Sequence, residues 1–580
     1  MGRYVAPPHG SAVPEDVTAA GTPGSPAGGV LEPAAPAESA EPADGPARGR
    51  PGSDVPVLVW ALVALHVALM LSFAMLYPAM YGYDEPQHVD MAYAYSKGHG
   101  VYDPGERWLS TGVRNGERGP SYPPSRPFTD HEILERDQRR SFDAQGGDTP
   151  YRDSLPNQMV QHPPLYYLLG AAVLDLPGVS GMGYDRQIWL LRMLSVLMLA
   201  PLPLLAWAAA RALLGPGPPA LVAAVLPLAV PGLTRIGASV NNDALMALVG
   251  SLLVYLLARV LAGDLRARTG ALVGAVLLAG LLTKGFALVL PPVAAAAYLV
   301  AALRHRRFPV APAALVVVLS AAGGLWWLRN LLAYGAVQPL GVGPENVEEI
   351  LGPRRPGGTL ADFVPAFVEQ VSSRLWGGIG LAEGPRLSPA LTTGWSVALV
   401  ALVVVGVAVG AGGRWGRAAL AVLTLPALLT LLVVFAAAYS NYRNHGGSYV
   451  GIHGRYLYVG LVGLAVAFAV GLDRLARLAG RHGPGLARRL PAMVLAAALL
   501  SQLVACKTIV GAWWTPARAS GLRAELGGAL TGIARWSPFP AVPTYAPFVL
   551  AVGLAVLAVV VAVVPSSRPG GHRAETPQPG

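Results

Sequence analysis

Charge is scarce in this chain. Of its 580 residues only 13% are Asp, Glu, Lys or Arg, and 53% are apolar; soluble domains carry about 25% charged residues. That excludes a water-soluble globular protein. Lysine is nearly missing: Lys97, Lys284 and Lys507 are the lysines among 43 basic residues. The single cysteine, Cys506, excludes an intramolecular disulfide and a cysteine-ligated metal cluster. No Gly-rich phosphate loop follows a strand pattern. There is no HExxH, and no GxSxG in strand–helix context, which disfavours a pump driven by ATP within the chain. No secretory leader is visible, since the first long apolar run begins near Val55. Glycine (69) and proline (53) are plentiful, as is common in membrane helices.

The apolar runs define the architecture. A helical span needs roughly 20 apolar residues, and twelve candidates occur: 55–80, 187–212, 218–233, 242–263, 270–284, 285–303, 309–334, 391–411, 416–439, 455–473, 490–510 and 544–564. The expectation is an all-α polytopic membrane protein with about twelve transmembrane helices and no internal repeat. Arginines gather in alternate short loops, at Arg266 and Arg268, Arg304–Arg307, Arg414 and Arg417, and Arg474–Arg489. By the positive-inside rule both termini are then cytoplasmic. The net charge of +10 belongs to this topology signal and points to no nucleic acid. Residues 1–54 and 565–580 read as disordered cytoplasmic tails around a transmembrane domain at 55–564. Three long segments face outward: 81–186, 335–390 and 511–543. The first is the largest. Its "ILERDQRRSFDAQ" reads as a short surface helix, and "HPPLYYLLGA" as an interfacial helix with its prolines at the start.

Several polar groups sit at the outer helix ends. "YDEPQH" puts Asp84 and Glu85 directly after the first span, where Pro86 turns the chain. A carboxylate there suits a general base, and partial desolvation would raise its pKa towards the working range. His88 and Asp90 would assist it or complete an oxygen/nitrogen metal site, so a divalent cation stays open and no other cofactor is implied. The plain alternative is helix-end charge. Lys284 in "LLTKGFALVLPP" is costly at membrane depth and suits an anionic head group, snorkelling being its alternative. Arg329 and Asn330 follow Trp326 and Trp327, a pattern that serves either phosphate contact or interfacial anchoring. In "YRNHGGSYVGIHGRYLYVG", Arg443, His445, His453 and Arg455 converge on one glycine-rich outer loop. Positive charge there runs against the topology rule and suggests an anion site. Asn241, Asn242 and Asp243 open a span, where N-capping is the simplest role. His66 reads as a packed, hydrogen-bonded core residue.

These pieces, in this order, resemble the GT-C superfamily of integral-membrane glycosyltransferases: "YDEPQH", "HPPLYYLLGA", "RMLSVLMLAP", "NNDALMALVG", "LLTKGFALVLP", "WWLRNLLAYG" and "HGRYLYVGL". They cover most of residues 55–473. The resemblance is to the protein-mannosyltransferase and aminoarabinose-transferase group, and to an adjoining bacterial branch with a DEPxH signature. It implies an inverting transfer from a polyprenyl-phosphate-linked sugar to an extracytoplasmic glycan, lipid or protein acceptor at the plasma membrane. It places the catalytic base at Asp84 or Glu85, with His88 beside it, and the donor phosphate on Lys284, Arg329, Arg443, His453 and Arg455. It gives His162, Tyr166, Asn242 and Asp243 substrate or loop-closing roles. The alternatives are a transporter or flippase, or a polymerase or ligase, of lipid-linked glycans. Transporters tend to have repeats and midplane sites on broken helices, whereas the ionisable groups here gather at outer helix ends.

Overall fold

The computed structural model describes residues 55–117, 126–379, 385–410 and 412–564. The tails expected at 1–54 and 565–580 lie outside the described residues. Among the described residues there are helices and three isolated bridges but no strand, as the long apolar runs require.

The first helix, α1 (Val57–Leu76), has no Asp, Glu, Lys or Arg in its 20 residues. It stops because Pro78 forces the preceding residue into extended backbone; Tyr77 has ψ 115°. Next come α2 (Glu85–Ser96), α3 (Thr111–Gly116) and the short, apolar α4 (Leu165–Leu174), which belong to a cap at one end of the bundle. The chain re-enters the bundle through α5 (Tyr184–Leu199) and α6 (Leu202–Leu214), interrupted only at Pro201. A bent pair follows, α7 (Pro218–Val225) and α8 (Pro231–Gly237). Then come α9 (Asp243–Leu261), α10 (Ala267–Leu281), α11 (Leu290–His305) and α12 (Val310–Tyr334). The second cap segment holds α13 (Val347–Leu351) and α14 (Leu360–Trp376). The bundle closes with α15 (Pro389–Val409), α16 (Arg414–Asn444), α17 (Leu461–Arg477) and α18 (Gly483–Ile509). After these, α19 (Leu522–Trp536) lies in the third cap segment and α20 (Ala541–Val563) ends the described bundle.

Among the described residues ten helical segments are long and apolar enough to cross a bilayer, or eleven with the bent pair. Two places depart from the twelve runs expected. Between Pro218 and Gly237 the axis turns by 67° at Val230–Pro231, where proline removes a helix donor. And α10 has only 15 residues, about 22 Å of helix against a hydrocarbon core of about 30 Å.

Small residues let the helices approach closely, as is usual where lipid removes the hydrophobic drive between helices. A Cβ on Gly406 of α15 would stand 2.0 Å from the Ala467 carbonyl oxygen, and one on Gly471 of α17 would stand 2.0 Å from that of Leu402. Likewise a Cβ on Gly250 would come within 1.9 Å of the Val459 oxygen. The backbone of the turn Gly454–Gly460 therefore lies directly on α9.

Side chains bonded to backbone tie the cap together. Arg139 donates to Asp185 (2.6 Å) and to the carbonyls of Leu134 (3.0 Å), Ser537 (3.0 Å) and Arg535 (2.7 Å). Arg136 reaches the carbonyls of Ser537 and Ala534. These ties replace the surface helix expected for "ILERDQRRSFDAQ": only 3-10 turns form, at Arg136–Gln138 and Asp143–Gln145. Buried Asp90 accepts from Arg107 (2.9 and 2.7 Å), Ser110 N (2.8 Å) and Asn157 (2.9 Å). His66 is buried as expected, but both ring nitrogens lack a hydrogen-bond partner among the described residues, because its neighbours in α1 and in the core around it are apolar.

Candidate functional site

The loop from Tyr77 to Asp84 is held by one arginine from the facing helix. Arg192 of α5 is buried and donates to Glu85 twice (2.8 and 2.7 Å), to Ala74 O (3.0 Å), to Tyr77 O (2.7 Å) and to Pro78 O (2.8 Å). That uses all five guanidinium donors. Glu85 is fully buried and also accepts from Gly82 N (3.0 Å) and Val240 N (2.9 Å). Both of its oxygens are committed to holding the loop. Gly82 is needed here, since a Cβ would stand 2.6 Å from that of Ser239.

The neighbouring carboxylate is placed differently. Asp84 has φ 51°, in the left-handed region, at a cost of about 1–2 kcal/mol for a residue with a Cβ. Its side chain is 29% exposed and meets Arg455 Nη2 at 3.0 Å, with Gln158 Nε2 at 3.5 Å. Of the acidic pair at the end of α1, Asp84 is the one open to a ligand.

From Asp84 an ionic chain runs inward. Arg455 Nε lies 3.1 Å from Asp243 Oδ2, at an angle that makes no hydrogen bond. Asp243 Oδ1 accepts from Lys284 at 2.6 Å, and Lys284 also donates to Asn242 Oδ1 at 3.1 Å. Asn242 reaches the Tyr167 hydroxyl at 3.5 Å, and that hydroxyl meets His88 Nδ1 at 3.1 Å. Asn242 and Asp243 thus bind side chains rather than cap α9. Asn241 stands in the capping geometry instead, accepting from Asp243 N at 2.9 Å. The turn carrying Lys284 is fixed to the start of α4 by Leu165 N donating to Leu282 O at 3.1 Å.

A second feature surrounds Tyr83. The guanidinium carbons of Arg235 and Arg455 lie 3.7 and 4.3 Å from its ring centroid, within cation–π range. Arg235 donates to Gly378 O, yet among the described residues its Nε and Nη2 are buried without a hydrogen bond, as are Nε and Nη1 of Arg455. Arg374 of α14 donates to Ile452 O beside them. His453 packs edge-on against Tyr83 (5.7 Å) and Tyr456 (5.4 Å), with Nδ1 unpartnered. Burial, and then the charges of Arg455, Arg374, Lys284 and Arg235, hold His453 well below the ordinary imidazole range. Burial does the same for His88 and His162, with Lys284 the next cause in both. All three are neutral at pH 7. With Glu85 and Arg192 paired off, four cations (Arg235, Arg374, Arg455, Lys284) face two carboxylates, Asp84 and Asp243. An excess of positive charge and unused donors in a buried place suits an anion.

The remaining candidates are placed as follows. His162 is buried with Nδ1 unpartnered, within electrostatic reach of Lys284 and His88. Tyr166 turns away to Ser195 (3.2 Å), and its neighbour Tyr167 joins the chain instead. Arg329 is half exposed, pairs with Asp103 at 3.3 Å and flanks Trp326 and Tyr334. Arg443 is exposed and lines a separate basic bowl. Among the described residues no three His, Cys, Asp or Glu are grouped to hold a metal ion: Glu85 is spent on Arg192 and Asp90 on Arg107. Arg192, Arg235, Arg374, Tyr83 and Tyr167 were missed by pattern reading. An arginine inside the apolar "RMLSVLMLAP" was the one available signal for Arg192.

A family model described as a predicted membrane protein (DUF2142) matches residues 67–464, so the chain belongs to that family. No curated protein matches it. Among solved structures it is similar to ArnT from Cupriavidus metallidurans bound to undecaprenyl phosphate, at 15% identity over 86% of this chain and 77% of that one, with a TM-score of 0.41. The apo state of the same protein gives 16% identity over 87% and 76%, with a TM-score of 0.42. Similarity also extends to the archaeal oligosaccharyltransferase AglB from Archaeoglobus fulgidus in complex with an inhibitory peptide and a dolichol-phosphate. There the identity is 14%, over 86% of this chain and 56% of that one, with a TM-score of 0.33.

Proposed function

We propose that this member of the DUF2142 family is a membrane glycosyltransferase that takes a sugar from a polyprenyl-phosphate carrier at the extracytoplasmic end of the bundle. The observation that carries the reading is Asp84: a carboxylate in left-handed backbone, partly exposed, 3.0 Å from a guanidinium whose Nε and Nη1 make no hydrogen bond among the described residues. Asp84, Asp243, Lys284 and Arg455, from four of the ordered motifs that resemble GT-C enzymes, meet at this place, and by the alternation of the apolar runs the arginine-rich short loops fall at the other end.

The chemistry follows from the charges. The donor is a phosphodiester with one negative charge, which docks on Arg455, Arg235, Arg374 and Lys284. In binding it competes with Asp84 for Arg455 and frees that carboxylate. An acceptor hydroxyl oxygen attacks the anomeric carbon, the bond from that carbon to the phosphate oxygen breaks, and the hydroxyl proton passes to Asp84. The departing phosphate gains negative charge as the bond breaks. A pocket with surplus cations therefore binds the transition state and leaving group better than the ground state, which is the condition for rate enhancement. Lys284 is held in place by Asp243. His88, neutral and bonded to Tyr167, positions the chain that ends on Asn242.

Arg235 offers a clean test because no carboxylate depends on it: Arg235→Met removes a cation without orphaning an acid. In nanodiscs of neutral lipid, Arg235→Met and Arg455→Lys should each bind undecaprenyl phosphate about 10-fold or more weakly than wild type, the size expected when a charge-assisted contact of about 1.4 kcal/mol is lost. Equal affinity in all three proteins would remove the phosphate assignment.

A further inference from the structure

A second basic site lies beyond the first, at the end of α16. Arg354, Arg355, Pro356, Arg443, Asn444 and His445 line an open bowl of about 690 Å³. It is built from two segments far apart in the chain and laced by backbone: Arg355 N donates to Asn444 O (3.0 Å), Gly446 N to Arg355 O (2.8 Å) and Gly357 N to Arg443 O (2.8 Å). The pairing is as close as backbone allows, since a Cβ on Gly357 would stand 1.8 Å from Tyr442 O. His445 is fixed by a 2.8 Å contact of Nδ1 with Gly352 O, and Arg443 by a 3.2 Å bond to Gly358 O. Among the described residues no carboxylate pairs with Arg354, Arg355 or Arg443, although Glu348 and Glu349 are near in sequence. Three unpaired arginines on a rigid frame repel one another unless an anion joins them.

The depth of the bowl decides what kind of anion. The 31 residues of α16 make about 46 Å of helix, against about 30 Å of hydrocarbon. Its other end begins with Arg414 and Arg417, and the apolar stretch starts after them. Most of the excess therefore lies at the end that reads "YSNYRN", which puts Arg443 beyond the hydrocarbon, at the water-facing edge of the head-group layer. The frame is also joined to the first site. Tyr442 packs on Phe363 and Tyr449 in one aromatic cluster that includes Ile452 and Tyr456, and the Tyr456 ring lies 4.9 Å from Lys284 Nζ.

We infer that this bowl holds the acceptor: a soluble envelope glycan bearing phosphodiester or carboxylate groups, whose anionic units sit on Arg354, Arg355 and Arg443 while a hydroxyl further along reaches Asp84. The inference rests on the transferase reading for its second half; the anion site itself does not. The probe is poly(glycerol phosphate), titrated against full-length protein in neutral-lipid nanodiscs, with dextran of similar length as the uncharged control. Wild type should bind the polyanion and not dextran, with affinity falling steeply between 50 and 300 mM salt. Arg354→Gln/Arg355→Gln/Arg443→Gln should bind it at least 10-fold more weakly, while undecaprenyl phosphate affinity stays within about 2-fold of wild type. Equal polyanion affinity in wild type and the triple variant would overturn the inference. So would a triple variant whose polymer binding is intact but whose retention of anionic lipid is lost, which would make the bowl a head-group site. Polyanion binding that depends on the bowl, in a protein that binds no undecaprenyl phosphate, would keep the bowl and reject the transferase reading.

Discussion

Asp84 and Arg455 are 371 residues apart in the chain and 3.0 Å apart in space. The aspartate comes from the loop that leaves the first membrane helix, the arginine from the turn that enters α17. Their contact joins the two ends of the motif series into one site. If the donor phosphate competes with Asp84 for Arg455, weakening the pair must help the phosphate. Asp84→Asn should therefore bind undecaprenyl phosphate about 3- to 10-fold more tightly than wild type, roughly 0.7–1.4 kcal/mol. Calorimetric titration in neutral nanodiscs reads this directly. Weaker binding in the variant would show that Asp84 supports the phosphate rather than competing with it.

Glu85 and Arg192 have a different task. Each is buried and each satisfies the other, along with five backbone groups. Removing one partner of such a pair costs about 3–5 kcal/mol, because the other charge is left buried. Glu85→Gln should lower the thermal midpoint in detergent by several degrees. Glu85→Gln/Arg192→Met should recover part of that loss, since no lone charge remains. Unchanged thermal stability in Glu85→Gln, with transfer abolished, would make Glu85 a catalytic group.

The histidines give a pH signature. His88, His162 and His453 are held by burial well below the ordinary value of 6.5. They are neutral in the folded protein, whereas in the unfolded chain they take up protons as the pH falls through 6.5. Their contribution is thus fully present above about pH 6.5 and is lost as the pH falls below it, towards the folded values. Each contributes a slope of up to about 1.4 kcal/mol per pH unit in that window. The thermal midpoint should fall between pH 6.5 and 5.5, and His453→Gln should flatten the fall. A midpoint that rises on acidification would contradict the buried, neutral state.

Arg329 serves as the contrast. It is half exposed, paired with Asp103 and set beside Trp326 and Tyr334. A surface pair of that kind contributes about 0–1 kcal/mol. Arg329→Gln should leave undecaprenyl phosphate binding and transfer within about 2-fold of wild type. A 10-fold loss in either would bring Arg329 into the site.

Much of the candidate site was legible because membrane helices make charge conspicuous. Asp84, Lys284 and Arg455 each stand at the end of an apolar run, and alternation of the runs puts all three at one end. Asn242 and Asp243 were visible as residues, but their role was not. Capping and ion pairing use the same side chains at the same position, and only the 2.6 Å approach of Lys284 separates them. Arg235 stayed hidden because a sequence cannot tell a topology charge from one folded back over Tyr83, and Arg374 because its bond to Ile452 O is a tertiary contact. The count of crossings was blurred where Pro231 bends a run and where α10 is short. "ILERDQRRSFDAQ" has helix-forming residues, but its arginines are drawn to the carbonyls of Ala534, Arg535 and Ser537, and tertiary contacts override propensity there.

The central claim is that Asp84 takes the acceptor proton in sugar transfer from an isoprenoid phosphate. Asparagine tolerates left-handed backbone as aspartate does, so Asp84→Asn preserves the loop while removing the base and its charge opposite Arg455. The most direct measurement is the rate of labelled sugar transfer from polyprenyl-phosphate donors to an envelope acceptor fraction, in proteoliposomes carrying wild type or Asp84→Asn. Wild type should transfer, and the variant should be slower by about 10²–10⁴-fold, the usual contribution of general base catalysis, with its thermal midpoint unchanged. Transfer by Asp84→Asn at the wild-type rate, or no donor consumed by wild type with any acceptor, would contradict the account.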